Sequence, residues 1–250
     1  MPHDHAIQCL HDPLLVALSY LVSVLGSLTA LQLAIGIPAA TGNAQRWRAI
    51  AASGAAMGGG AIWAMHFIAM LACKMDVHVS YHVGLTALSA LIAMASCMAG
   101  LAIASAGVFT WGKLAIAGIF MGVGVTGMHY TGMAAMLMPA DTHYSMTLVA
   151  ASAAIAIIAS MAALWLAFHL RGWLQMLGSA LVMGVAVCGM HYTGMAAATF
   201  VPNDSGDAAL SGGLGGSYLG MGIFGITTIL LAVVLSLNIL RQRERKMVQI

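Results

Sequence analysis

Seven stretches of this 250-residue chain, roughly 14–37, 49–73, 83–106, 114–138, 146–168, 173–200 and 217–240, contain no Asp, Glu, Lys or Arg. A membrane-crossing helix needs about 20 such residues. Strands of a membrane β-barrel would be about half as long and would alternate in period two, which these stretches do not. The chain is therefore expected to be an all-α, polytopic membrane protein with seven transmembrane helices. With 61% hydrophobic and 6% charged residues and a mean hydropathy of +0.95, it has too little polarity to solvate a globule. Nine basic and seven acidic residues, net +2, also exclude the dense basic face that nucleic-acid binding needs.

The breaks between stretches sort by charge when assigned alternately to two sides. Arg46, Arg48, Lys113, Arg171, Arg241, Arg243, Arg245 and Lys246 fall on one side, and Lys74 alone on the other. Basic loops stay in the cytoplasm, so the N-terminus is expected outside and the C-terminus in the cytoplasm. Asp4, Asp12, Asp76, Asp141, Asp204 and Asp207 all fall outside under this assignment. The expected organisation is a periplasmic segment 1–13, a seven-helix membrane domain 14–240 with a Gly/Ser-rich outer linker at 203–217, and a basic cytoplasmic tail 241–250. The tail is suited to contact with anionic membrane lipid or a signalling partner.

An internal repeat carries the chemistry. MGVGVTGMHYTGMAAM at 121–136 aligns without a gap to MGVAVCGMHYTGMAAA at 183–198, with 13 of 16 positions identical. A third copy, GGGAIWAMHFIAMLAC at 58–73, keeps Gly59, Met65, His66, Met70 and Ala72. The histidines are 63 and 62 residues apart, the length of two spans with their loops, so the copies lie on three parallel helices. We expect three parallel two-helix repeats around a pseudo-axis along the membrane normal, plus one extra helix at the edge. Gly122, Gly127 and Gly132, and Gly184, Gly189 and Gly194, recur at five-residue steps, where helices can pack closely.

His66, His129 and His191 should meet at one depth, in the outer half of the bilayer. Ionisable rings are costly there and usually face the bundle interior. Positions i+4 and i+7 share a helix face, which gives three stripes: His66, Met70 and Cys73; His129, Met133 and Met136; His191, Met195 and Ala198. Met65, Met128 and Met190 sit on the other flank of each histidine, and Cys188 lies on the flank of His191. Imidazole with thioether and without carboxylate is a soft donor set that selects Cu(I). Met57, Met94, Met98, Met161 and Met221 read as gap-fillers. At the outer mouth, KMDVHVSYH places His78 and His82 four residues apart, with His143, His3, His5 and His11 also outside. These read as solvated histidines or a weak collecting cluster. Cys9 and Cys73 share the outer compartment, where a disulfide between them could form.

Met128-His129-Tyr130-Thr131 and Met190-His191-Tyr192-Thr193 resemble the signature of the MHYT domain family, with Met65-His66-Phe67-Ile68 as a degenerate first copy. The resemblance covers essentially the whole chain. It implies a bacterial inner-membrane sensor whose Met128, His129, Met190 and His191 bind copper and, through it, O2, CO or NO. Tyr130 and Tyr192 belong to the hydrogen-bonding shell of that cofactor, a shell from which Phe67 and Ile68 depart. Family members often continue into cyclase, phosphodiesterase or kinase domains. This sequence ends about ten residues after the last expected span, so no enzymatic activity is expected and the signal would pass to a separate partner. The leading expectation is a copper-containing sensor of a diatomic gas or redox state, with His66, His129, His191 and their Met neighbours as ligands. A copper transporter, a haem protein and a purely structural subunit are the alternatives.

Overall fold

The computed structural model describes residues 7–169, 172–203, 213–216 and 218–223, and single positions 225, 227 and 229. Among the described residues, six helices are long and apolar enough to cross a membrane. They are α1 (Pro13–Ala34); a second span made of α2 (Asn43–Ala55), a π-helical segment (Ala56–Trp63) and α3 (Ala64–Ala72); and α4 (Val83–Ala104), α5 (Trp111–Ala134), α6 (Met146–His169) and α7 (Trp173–Ala196). The protein is thus all-α and polytopic. The seventh expected stretch is helical at residues 218–223. The rest of it lies almost wholly outside the described residues, as do the tail 241–250, Arg171, His3, His5 and most of the 203–217 linker.

Local chemistry sets the helix ends. The Asp12 carboxylate accepts from the backbone N–H groups of Leu14 and Leu15 at 3.0 and 3.4 Å, with Pro13 at the first helical position, an arrangement that supplies orphan donors with an acceptor. His82 caps α4 in the same manner, its Nδ1 accepting from Leu85 N–H at 3.2 Å. At the opposite end of the bundle, Lys113 Nζ donates to the carbonyls of Ala106 and Val108. Arg46 Nη2 donates to Ala102 O and Ser105 Oγ. Cations thus meet carbonyls in the last turn of α4 and just past its C-terminus.

Each span packs beside the next in chain order, and α1 closes the ring against α7. The three motif helices α3, α5 and α7 also touch one another pairwise. The pseudo-threefold relation shows in the close approaches. A Cβ on Gly58 would strike Ala93 and Met94, one on Gly122 would strike Ile157, and one on Gly184 would strike Val24 and Tyr20. Met94 and Ile157 are 63 residues apart and Val24 and Met94 are 70 apart, so the same place on each intervening span receives an equivalent glycine.

This equivalence corrects the gapless alignment of the first copy. Gly58, not Gly59, matches Gly122 and Gly184, so the first copy carries one residue more between this glycine and its histidine. The π-helical segment Ala56–Trp63 absorbs it, since i→i+5 bonding accommodates an extra residue without breaking the helix. A second correction concerns the five-residue glycine steps. Gly127 and Gly189 have nothing within 4 Å of a would-be Cβ. Five residues turn a helix through about 500°, so consecutive glycines in that series face different directions.

The motif end of the bundle is tied by short antiparallel strands. β1 (Leu10–His11) pairs with β2 (Cys73–Lys74); β3 (Ser80–Tyr81) pairs with both β4 (Met136–Leu137) and β7 (Leu214–Gly215); β5 (Ala140–Tyr144) pairs with β6 (Ala198–Pro202). Cys9 and Cys73 are disulfide-bonded. Backbone bonds from Ile7 N–H to Phe200 O (2.9 Å) and Asp12 N–H to Ala72 O (2.8 Å) hold the N-terminal segment across the motif end.

Deleting Gly59 should convert the π-helical segment to ordinary α-helix and give the first repeat the spacing of the other two. The detergent-solubilised deletion protein should stay monodisperse and unfold within a few degrees of wild type. Deleting Gly124, in the same stretch of α5, should abolish folding because nothing there absorbs the change of register.

Candidate metal centre

His66 lies six residues before the end of α3, and His129 and His191 lie five before the ends of α5 and α7. Parallel helices that end at nearly matched distances from their histidines therefore bring the three rings to one level, where all three side chains are fully buried. His66 Nδ1 lies 2.9 Å from His191 Nδ1 and 3.2 Å from His129 Nδ1. The rings stand edge to face, with centroids 4.8, 5.0 and 5.3 Å apart. Three nitrogens bound about 2.0 Å from one ion would lie roughly 3.3–3.5 Å apart, close to the separations found. Among the described residues this is the only group of three or more His, Cys, Asp or Glu whose ligand atoms converge.

The donor set fits a metal. A neutral imidazole carries one N–H and one lone pair, and the Nδ1 atoms face each other while all three Nε2 atoms are buried without a hydrogen-bond partner. One cation at the centre would accept all three Nδ1 lone pairs.

The glycine three residues after the motif histidine has a structural reason. A Cβ on Gly132 would collide with His66 Nε2, and one on Gly194 with His129 Nε2. Each of these glycines, in the His-x-x-Gly of the signature, is the seat for the preceding repeat's ring.

The methionines divide into two layers. Met70, Met133 and Met195, one turn beyond the histidines, are buried in a cluster with Phe67, Tyr81 and Phe200 at the motif end. Met128 and Met190 belong to the main core cluster on the other side, and Met65 is fully buried. The i+7 stripe positions are not on helices. Each motif helix ends one or two residues earlier, so Met136, Ala198 and Cys73 enter strands β4, β6 and β2, and Cys73 is committed to its disulfide.

The tyrosines contribute ring edges. Tyr130 stands edge to face on His129 at 4.8 Å, and its hydroxyl meets Ser152 Oγ of α6 at 2.9 Å. Tyr192 stands on His191 at 5.0 Å, and the His11 ring of β1 meets Tyr192 edge to face at 5.4 Å. In the first repeat Phe67 contacts His66 at 5.0 Å, and the missing hydroxyl is replaced by Trp63, whose Nε1 donates to Ser89 Oγ at 3.0 Å. Ser89 and Ser152 occupy the same place 63 residues apart. That spacing is the sequence signal by which Ser89, and through it Trp63, could be found. His78, His82 and His143 do not join the trio; His82 is a helix cap.

Gly132→Ala and Gly194→Ala should each destabilise the solubilised protein by about 1–3 kcal/mol, the usual cost of forcing an extra carbon into a packed core. Gly127→Ala and Gly189→Ala, with open space around them, should be neutral or stabilising by up to about 1 kcal/mol through helix propensity. Thermal unfolding of the four variants side by side checks both expectations.

Comparison with known proteins bears on what this centre belongs to. The family model MHYT, described as a bacterial signalling protein N terminal repeat, matches residues 59–117 and 122–180. The chain is 41% identical over 239 residues to the bifunctional diguanylate cyclase/cyclic di-GMP phosphodiesterase MucR of Pseudomonas aeruginosa, covering 93% of this chain and 34% of that protein. It is 37% identical over 196 residues to the cyclic di-GMP phosphodiesterase NbdA of the same organism, covering 76% of this chain and 24% of that protein. A signaling protein of Bacillus subtilis, YkoW, is 30% identical over 201 residues, 78% of this chain and 25% of its own length. The chain thus spans about a third or less of the length of these relatives. No solved structure matches. With two family repeats in the period of its own histidine spacing, and signalling proteins as relatives, the chain belongs to the MHYT family.

Proposed function

We propose that this chain is the sensing module of a bacterial inner-membrane signalling system, with a copper ion held by His66, His129 and His191 near the periplasmic face. The observation that carries this reading is the convergence of three buried Nδ1 atoms from three repeats. The surrounding donors are thioethers, and soft ligands without carboxylate favour Cu(I). Met70, Met133 and Met195 on one side and Met65, Met128 and Met190 on the other are the candidate axial ligands.

Bound copper would supply an open coordination position for a diatomic gas or an electron to be gained or lost. The chain's own residues then do the coupling. The three imidazoles come from three separate helix pairs, so any change in their preferred spacing acts on α3, α5 and α7 together. The His66 and His129 rings are seated on Gly132 and Gly194, so a shift of either ring presses on the helix of the next repeat. The resulting shift reaches the cytoplasmic ends, where the signal passes to an output domain or partner; the names of two relatives point to cyclic di-GMP turnover as that output. A haem between these rings fits less well, because the edge-to-face packing at about 5 Å holds no slot for a macrocycle.

A second reading, passage of Cu(I) across the membrane, is favoured by one specific observation: methionines line a cavity deeper in the bundle. Copper content of cells with and without the protein separates the two, since a sensor leaves it unchanged.

Purified protein loaded with Cu(I) should lose one equivalent of metal when His129 and His191 are both replaced by Asn. Unchanged copper in that variant contradicts the proposal, and a Soret band in the wild-type spectrum would assign the site to haem instead.

A further inference from the structure

A small pocket of about 30 Å³ lies between the spans, reaching from Met57, Met121 and Met183 to Met190 beside His191. Met57, Met121, Met183 and Met190 line it, together with Ser27 and Ser160. Met57, Met121 and Met183 are 1%, 2% and 6% exposed. They are the same residue of the three repeats: each directly precedes the equivalent glycine, Gly58, Gly122 or Gly184. Met121 and Met183 lie eight residues before their histidines, and Met57 lies nine before His66. The extra residue falls in the π-helical segment, which returns Met57 to the position of the other two. The three methionines therefore stand two helical turns deeper than the histidines, about 12 Å along the helix axes.

The cavity also has a polar atom with nothing to bond. Ser27 Oγ, on a fully buried side chain, has no hydrogen-bond partner. Leaving a buried hydroxyl unsatisfied costs roughly 1–3 kcal/mol, so an occupant that takes it is favoured. Space of about 10–15 Å³ holds one water, but a water needs two to four polar partners. Here the wall offers two serine hydroxyls against four thioethers. Hard cations need carboxylate or carbonyl oxygens, and no acidic side chain lines the cavity. Thioethers do bind soft, weakly hydrated monovalent ions, whose bonding to sulfur offsets part of the cost of burying charge.

We propose that Met57, Met121 and Met183, with the Ser27 hydroxyl, form a second site for a soft monovalent cation such as Cu(I). This site has its own donors and does not require the histidines to bind metal. On this reading Met57 is a ligand rather than a gap-filler.

The test is the number of Ag(I) ions, a redox-inert probe, retained by the purified chain after equilibration with a competing chelator. Met57→Leu/Met121→Leu/Met183→Leu keeps nearly the same volume and should remove one equivalent while the protein stays monodisperse. If wild type binds two and the triple variant one, both sites exist. If wild type binds one and the triple variant none, the thioether site stands and the histidine reading fails. Unchanged stoichiometry in the folded triple variant, or no silver bound by wild type, overturns the proposal. Should the triple variant fail to fold, each single Met→Leu change must weaken silver binding at least tenfold; affinity unchanged in all three would overturn it equally.

Discussion

Three imidazole rings, each fully buried and each brought by a different helix pair, face one another through Nδ1, and the rest of the bundle is arranged around that contact. Polar rings in an apolar interior are tolerated only when something repays their loss of water. The protein commits much of its regular structure to placing them. Nearly equal distances from each histidine to the end of α3, α5 or α7 set the depth. Gly132 and Gly194 leave room for the ring edges. Trp63 stands in where the first repeat lacks a tyrosine hydroxyl.

The same symmetry explains an irregularity. A π-helical segment inside a membrane span would ordinarily be a defect, yet here it lets a repeat with one extra residue keep both its histidine and its methionine in register with the other two. Strands β1 to β7, and the Cys9–Cys73 bond, tie the chain together over the motif end, where His11 lies against Tyr192. The centre is thereby shielded on its exposed flank by chain segments rather than by a longer helix.

Much of this was readable before any coordinates. Uncharged stretches of more than twenty residues leave little choice but helices, and a period of 63 residues forces the motif helices to run parallel, so the meeting of His66, His129 and His191 followed from sequence alone. Other features were hidden for physical reasons. A π-helical insertion has no composition of its own, so Gly58 was placed opposite Met121 and Met57 fell outside the aligned segment. The i+7 stripe assumed helices that continue, whereas they end just past the motif and hand Met136 and Ala198 to strands. Strands of two residues, such as β3 and β4, are too short to carry a period. The glycines were identical in sequence but unequal in space: Gly132 is pressed against a ring and Gly127 against nothing.

The central claim is that the three rings hold one ion through Nδ1. Nitrogen-15 spectra of protein labelled at histidine, recorded before and after addition of one equivalent of Ag(I), address it most directly. Three buried histidines should shift at Nδ1 and show coupling to silver, with their Nε2 atoms protonated. Coupling through Nε2, or shifts confined to the exposed histidines, would contradict the account.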